Sequence, residues 1–589
     1  MTRHAWILLL LFALTTPATQ AKESDKINWR DNLDASLFSE ARDSNRFVLL
    51  NLEAVWCHWC HVMDDKTYSN DKVADTLSKK YIAVRIDHDA RPDLAQRYRR
   101  YGWPATIIFD GSGQEIVKRA GFISPENFQR LLNAVVDDPS PEAAARLVQV
   151  EQFNESPLLA DEIRQTLLNK RNRNYDASNG GLKSNQKFLD ADSVEYNLTL
   201  AMEDEEANQR VQQTLDAAIR LIDPVWGGAY QYSTFGDWEH PHFEKIMVTQ
   251  ARYIRIYSLA YATLGNPNYL DAANAIRSYM KRFMTDSAGA FYTSQDADLI
   301  QGKKGHSFFA LNDADRMAQG VPRIDKNIYA QENGRMIEAL ATLYELSGDE
   351  SALNEALAAA NWIIKHRSLD GGGFAHGEND QAGPYLGDSL SMGRAALQLY
   401  RATADRYWLN KATSAAVFIG EHFTQEKAGF VSAVANNGPI QPVPHLDENI
   451  SATRFFNLLA QYSGDQRFKK LAAHGMKYIA TPDIATRRID ESGILLADRE
   501  TANDPAHYTI IGAKSNVAAK AMYAEARSQP GWYKRIEWWD TTEGPLPNPD
   551  VKYPVLDKAS GFVCTNGRCS LPAFDQVKYR ELITLLEDG

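Results

Sequence analysis

The sequence predicts a multidomain chain: an N-terminal α/β domain, an all-α (α/α)6 toroid, and a small α/β C-terminal extension. Three observations predict it. Apolar strand-like runs alternate with short helical segments up to about residue 138. From residue 150 long amphipathic helices take over, punctuated by glycine loops at intervals of roughly 50 to 80 residues, and beyond residue 503 that rhythm lapses. At 589 residues the chain exceeds one ordinary core, so two or three domains are the prior.

The start of the chain has a short basic opening (Arg3, His4), an apolar run from Ala5 to Leu14, and small residues up to Thr19-Gln20-Ala21. This reads as a signal peptide over residues 1–21 and predicts a periplasmic or secreted protein. No later apolar stretch has bilayer length, so no transmembrane segment is expected in the mature chain. A net charge of −12 with scattered lysines and arginines gives no basic stripe, which argues against nucleic acid as a partner. Four cysteines are too few for a disulfide scaffold in an exported chain of this size, so they become candidates for chemistry.

The first domain is expected over residues 25–138. Its order reads strand (Phe47 to Ala54), the motif Cys57-His58-Trp59-Cys60-His61, helix (Asp71 to Lys80), strand (Tyr81 to Asp87) and helix (Pro92 to Tyr101). A strand after Pro104, a turn at Gly111-Ser112-Gly113, a strand from Ile116 to Arg119 and a helix from Pro125 to Val136 complete it. This βαβαββα succession is the thioredoxin arrangement. Gly102-Trp103-Pro104 falls where thioredoxins place a cis-proline beside the dithiol.

Three chemistries fit the cysteine motif. As a dithiol, Cys57 is the exposed nucleophile and Cys60 the resolving thiol. As C-x-x-C-H the motif spells a c-type haem attachment, and with His58 or His61 it has zinc-ligand types. The strand-to-helix context favours the dithiol, so no metal and no cofactor is expected. His58 and His61 then tune the thiolate and Trp59 flattens a binding surface, or the histidines are solvated turn residues. Asn51 stands six residues before Cys57, where thioredoxins carry a buried acid; an amide cannot take a proton, so Glu53 is the alternative base.

The toroid is expected over residues 150–503. Glycine loops at Asn179-Gly180-Gly181, Trp226-Gly227-Gly228, Gly289, Gly371-Gly372-Gly373, Gly429 and Gly493 alternate with short turns at Asp204, Gly265, Gly348, Asp405 and Gly464. Five helical hairpins follow from this, and the segments Leu158 to Leu168 and Asn516 to Ala526 are offered as the sixth. Polar clusters just beyond the glycine loops predict one mouth. They contain His242, Glu244 and Lys245; Asp296 and Asp298; Glu332 and Asn333; Asp388; and Asp447 with Glu448, beside Trp226, Tyr230 and Trp238. Acids with flat aromatic faces suit a carbohydrate. Equally, Asp298, Asp388 and Asp447 stand where helix N-caps belong, and His242 to Lys245 reads as a structural ion pair.

The extension, residues 504–589, carries two strand-like runs, His507 to Ile511 and Arg535 to Trp539. Cys564 and Cys569 bracket an Asn-Gly turn there, as a structural clip or as a relay exchanging with Cys57 and Cys60.

The chain resembles the YyaL and spermatogenesis-associated thioredoxin-like family. The matching residues are Cys57-His58-Trp59-Cys60-His61-Val62-Met63, Asp87 with Arg91-Pro92-Asp93, Gly102-Trp103-Pro104, Pro241-His242-Phe243-Glu244-Lys245, Asp296-Ala297-Asp298, Asn333-Gly334 and the Cys564 to Cys569 tail. The resemblance implies a thioredoxin-like domain joined to a six-hairpin, glycosidase-like domain. The expected function is an exported thiol-disulfide oxidoreductase acting on exported protein thiols or disulfides, with a membrane electron donor as partner. The alternatives are a carbohydrate-active enzyme or sugar epimerase-like protein whose redox domain is regulatory or structural, and a glycan-binding module that delivers the dithiol.

Overall fold

Helix α1 (Ala35–Asp43), capped by Asp34, leads into strand β1 (Phe47–Glu53), whose five central residues are all buried. Such a run suits a strand covered on both faces. The computed structural model describes residues 26–143, 150, 152–378, 380, 382–435, 438–565 and 567–587, so the expected signal peptide lies outside the described residues. After β1 come α2 (His58–Met63), α3 (Asp71–Lys80), β2 (Tyr81–Asp87) and α4 (Pro92–Tyr98), then β3 (Ala105–Phe109), β4 (Glu115–Ala120) and α5 (Pro125–Asp137). The sheet order is β2-β1-β3-β4, with β1 parallel to β2 and antiparallel to β3, and β3 antiparallel to β4. Helices α3 and α5 cover one face through Val73, Leu77, Phe128 and Leu132. Helices α1 and α4 cover the other through Phe38, Leu94 and Tyr98. The expected thioredoxin order is present, and Trp103-Pro104 is cis.

The helical domain follows as α6 (Asp161–Asn174), α7 (Ala191–Leu198), α8 (Glu205–Ala218), α9 (Met247–Leu264) and α10 (Pro267–Phe283). It continues with α11 (Ala330–Ser347), α12 (Glu350–Arg367), α13 (Leu386–Thr403), α14 (Arg406–His422), α15 (Leu446–Ser463), α16 (Gln466–Ile479) and α17 (Ser492–Ala502). Helices α7, α9, α11, α13, α15 and α17 pack in succession, and α17 returns to α7. This closed inner ring of six is the predicted toroid. Helices α8, α10, α12, α14 and α16 lie outside as hairpin partners, joined by turns in which Gly265, Gly348 and Gly464 adopt left-handed C-caps. The sixth pair corrects the sequence reading: α6 packs on α17, and the segment from Asn516 belongs to the next domain.

Across the ring axis each inner helix contributes one charge. Glu195 (α7) pairs with Arg255 (α9) at 2.8 Å, Arg255 lies 3.6 Å from Glu338 (α11), and Glu338 meets Arg394 (α13) at 2.7 Å. Arg454 (α15) binds both Glu500 (α17) and Glu195. Trp532 lies between Arg394 and Arg454, 4.6 and 4.9 Å from their guanidinium carbons. Three acids and three bases cancel, which is how charges are tolerated at this depth.

The C-terminal region holds β5 (Ala506–Ile511), α18 (Val517–Arg527), β6 (Lys534–Trp539), β7 (Ser560–Thr565), β8 (Arg568–Cys569) and α19 (Gln576–Glu587). Its sheet order is β6-β5-β7-β8, with β5 parallel to β6 and antiparallel to β7. Order and orientation repeat those of β2-β1-β3-β4, so the extension has the same βαβ-ββα topology. Its first strand-to-helix turn, residues 512–516, has no cysteine.

Candidate functional site: a disulfide seated on the toroid mouth

Cys57 is the N-cap of α2, and its Sγ accepts a hydrogen bond from the Cys60 N–H at 3.1 Å. Cys57 and Cys60 form a disulfide. Joined to each other, the sulfurs offer no thiolate to haem or zinc in this state. Against the expectation of an exposed nucleophile, each cysteine is only 4% exposed. The cause is tertiary: Ile246 and Val248, at the start of α9, pack with Ala54, Trp56 and Trp103 around the disulfide. The thioredoxin-like domain sits on the toroid with its disulfide facing inwards.

Both histidines of the motif turn to the toroid. His58 Nδ1 lies 2.8 Å from each carboxylate oxygen of Asp298, and His61 Nδ1 lies 3.3 Å from Asp298 Oδ2. His61 Nε2 is 3.7 Å from Asp296 Oδ2. They are therefore not solvated turn residues. Burial alone would lower the His61 pKa, but Asp298 and Asp296 reverse that and raise it. Burial raises Asp296 to about 7 against the pull of His61. Asp298 is lowered, because bonds from His58 and His61 outweigh its burial. Trp59 is 39% exposed and lies 6.0 Å from the Phe122 ring, leaving a flat aromatic surface beside the motif. At the end of β1, burial lifts Glu53 to about 7 although Arg85 lies 3.2 Å away; Asn51 Nδ2 donates to Glu53 at 2.7 Å.

The mouth is built from the first turns of the inner helices, where a row of positive helix ends faces the thioredoxin-like domain. His376 donates from Nδ1 to Asp388 at 2.9 Å and from Nε2 to the Asp89 carbonyl at 2.7 Å, tying toroid to thioredoxin-like domain. Burial opposes its protonation, but Asp388, Glu332 and the carbonyl lift it to about 10. Asp447 bridges Arg99 of the thioredoxin-like domain and Arg488. Burial raises Glu448 and Glu491 to about 8 and Asp192 to about 6. Burial lowers the Arg252 pKa, as do Arg99 and Arg335, against the pull of Asp447 and Asp192.

Other expectations are corrected. Asp298, Asp388 and Asp447 are not N-caps: the caps of α13 and α15 are Tyr385 and His445, and Asp298 binds the motif histidines. Trp226, Tyr230 and Trp238 are core residues, with the Trp226 indole donating to Asp313 and that of Trp238 to the Asn179 carbonyl. Lys245 is fully buried and binds Asp223 at 2.8 Å, and Arg316 binds the same carboxylate oxygen at 2.7 Å, so Lys245 belongs to a structural ion-pair network centred on Asp223. Asn333 bonds both backbone groups of Phe291, a structural role that Asn449 repeats on Phe430 and Gln250 on Ala229. His242 stacks on Tyr232 at 4.3 Å and lies 3.8 Å from Glu244, whose second oxygen makes no hydrogen bond.

Cys564 and Cys569 form a cross-strand disulfide between β7 and β8. The C-terminal domain packs on the far ends of the inner helices, through Arg401 to the Trp532 carbonyl and Lys514 to the Ala404 carbonyl. An inner helix of 18 residues is about 27 Å long, so the two disulfides lie at opposite ends of the ring and no relay joins them in this arrangement.

Missed by the sequence reading were Asp192, Arg252, His376 and Glu491. Asp192, Arg252 and Glu491 share one signal, their place in or just before the first two turns of an inner helix.

With this geometry established, comparison with known proteins adds the lineage. The start of this chain matches the Thioredox_DsbH family. The match spans residues 11–137, and the family is described as a protein of unknown function, DUF255. The chain also resembles human spermatogenesis-associated protein 20, with 24% identity over 497 residues, 77% of this chain and 59% of that protein. The mouse relative is covered over 48% of its length, so the chain spans about half of these relatives. Thiol:disulfide interchange protein DsbD of Campylobacter jejuni is 24% identical over 95 residues, 15% of this chain and 16% of that one. Among solved structures, cellobiose 2-epimerase from Bacillus thermoamylovorans matches 54% of this chain and 86% of its own, at 14% identity and a TM-score of 0.44.

Proposed function

We propose that this protein is an exported thiol-disulfide oxidoreductase whose dithiol works at the mouth of a helical toroid. The observation that carries the reading is the Cys57-Cys60 disulfide at a strand-to-helix turn, with the Cys60 N–H on Cys57 Sγ. That bond and the start of α2 favour the Cys57 thiolate once the pair is reduced. Cys57 then attacks a client disulfide, expelling one client sulfur as a thiolate that takes up a proton. Cys60, losing its proton to Glu53, attacks Cys57 Sγ and releases the second client thiol. Two electrons pass to the client and Cys57-Cys60 is reformed; a membrane electron donor restores the dithiol. Because both sulfurs are buried against Ile246 and Val248, exchange with a protein client includes a step in which the redox domain lifts from the mouth.

A carbohydrate in the mouth is the second part of the proposal, carried by Glu448 and Glu491, two acids held near neutrality where Arg252 and Arg335 also converge. Such acids match proton transfer at neutral pH.

The test is trapping. The Cys60→Ala chain, reduced and mixed with oxidised client, accumulates a mixed disulfide at Cys57 that mass spectrometry locates; Cys57→Ala accumulates none. Full insulin reduction by Cys57→Ala defeats the redox reading. Glycan turnover that survives loss of both cysteines and ends in Glu448→Gln makes the toroid an enzyme in its own right, and saturable binding without turnover makes it a delivery module.

A further inference from the structure

One cluster at the seam between the domains is not used by the redox chemistry. His61 comes from the redox domain, and Asp296 and Asp298 from the loop that follows the short strand Ser294–Gln295 of the toroid. One donor atom from each lies within 4.8 Å of the others. We propose that His61, Asp296 and Asp298 bind a divalent transition-metal ion that pins the redox domain to the toroid mouth.

Four observations support the assignment. First, the donor chemistry fits: one imidazole and two carboxylates suit zinc or manganese, and three protein ligands leave a position open. Second, Asp296 is fully buried, yet its Oδ2 makes no hydrogen bond and faces His61 Nε2 at 3.7 Å. A buried carboxylate oxygen without a partner is costly unless something positive completes it. Third, the remaining Asp296 oxygen is held by the Asp298 N–H at 2.9 Å, which directs Oδ2 at the cluster. Fourth, Asp298 is itself oriented, by His58 Nδ1 at 2.8 Å and the Gly302 N–H at 2.9 Å, the kind of supporting bond that ligating carboxylates carry. The ion would bridge two domains at a residue adjacent to Cys60, so its binding and the seating of the disulfide are linked. An ion that binds only the seated form stabilises that form by mass action.

The experiment uses the full chain with both disulfides intact, stripped with a chelator and titrated with Zn2+, then Mn2+. The expected result is one ion per chain by elemental analysis, with affinity reduced at least about tenfold in Asp296→Asn and in His61→Gln. Binding must persist in Cys57→Ser/Cys60→Ser, which separates this site from a cysteine site and from the redox reading. In the wild-type chain, saturating Zn2+ should slow reduction of Cys57-Cys60 by dithiothreitol, followed by alkylation and mass mapping, while leaving Cys564-Cys569 unchanged. Manganese electron paramagnetic resonance on the wild-type chain provides a reading that needs no variant. The proposal is overturned if neither ion binds stoichiometrically, if Asp296→Asn folds and binds as tightly as wild type, or if the cysteine double variant loses the ion.

Discussion

His376 shows what a single residue decides here. It stacks on Tyr329 at 4.1 Å, binds Asp388 through one ring nitrogen and reaches the Asp89 carbonyl of the thioredoxin-like domain with the other. Its folded pKa of about 10 lies above the unfolded histidine value of about 6.5. A raised pKa contributes stability that is complete below the unfolded value and is lost as pH rises through the folded one. Wild-type thermal stability should therefore fall between about pH 6.5 and 10, and Asp388→Asn should flatten that fall. Equal alkaline slopes in melts of the two chains would contradict the assignment. Cys57 shows the limit of reading at this scale. The residue types of a dithiol are visible in sequence, but its exposure is set by Ile246, 189 positions away, and the expected surface nucleophile is buried.

At the scale of elements, the glycine loops have a mechanical role. Gly228 has φ +78°, and a Cβ there would lie 2.5 Å from the Tyr279 ring, so only glycine fits. The chain after such a loop is clamped by an amide from the first turn of the next inner helix, as Asn449 clamps Phe430. Asn449→Ala leaves a buried N–H and a buried carbonyl without that partner, and should cost about 1–3 kcal/mol in a denaturant titration, the range for an unsatisfied group. Unchanged midpoints would remove the clamp from the account. The hairpin turns and glycine loops were legible because each has a local sequence signature. Asn333 was read as a pocket residue because clamp and ligand site use the same polar side chains in the same helical turn. The sixth hairpin was misread for a related reason: α6 and α17 are 318 positions apart from last to first residue, with the whole ring between them, so no local pattern pairs them.

The whole molecule places two α/β domains of like topology at opposite ends of one ring. The N-terminal one carries a buried disulfide on the mouth, and the C-terminal one carries a disulfide whose Cys569 is exposed, on the far side of the axial charges. Attack on a disulfide requires access to a sulfur. A bulky, charged phosphine under limiting conditions should therefore cleave Cys564-Cys569 before Cys57-Cys60, with the order read by differential alkylation and peptide mapping. Prior cleavage of Cys57-Cys60 would show that the thioredoxin-like domain does not stay seated. By itself, the sequence determined the thioredoxin element order, the repeated hairpins of the toroid and the cysteine pairs, because periodicity, turn residues and motif spacing act over a few residues. The tertiary structure alone decided which polar residues are clamps, which face the mouth, and that the disulfide is covered. Those outcomes depend on ring closure and domain docking, which bring together side chains hundreds of positions apart and change their solvent, charge and partners.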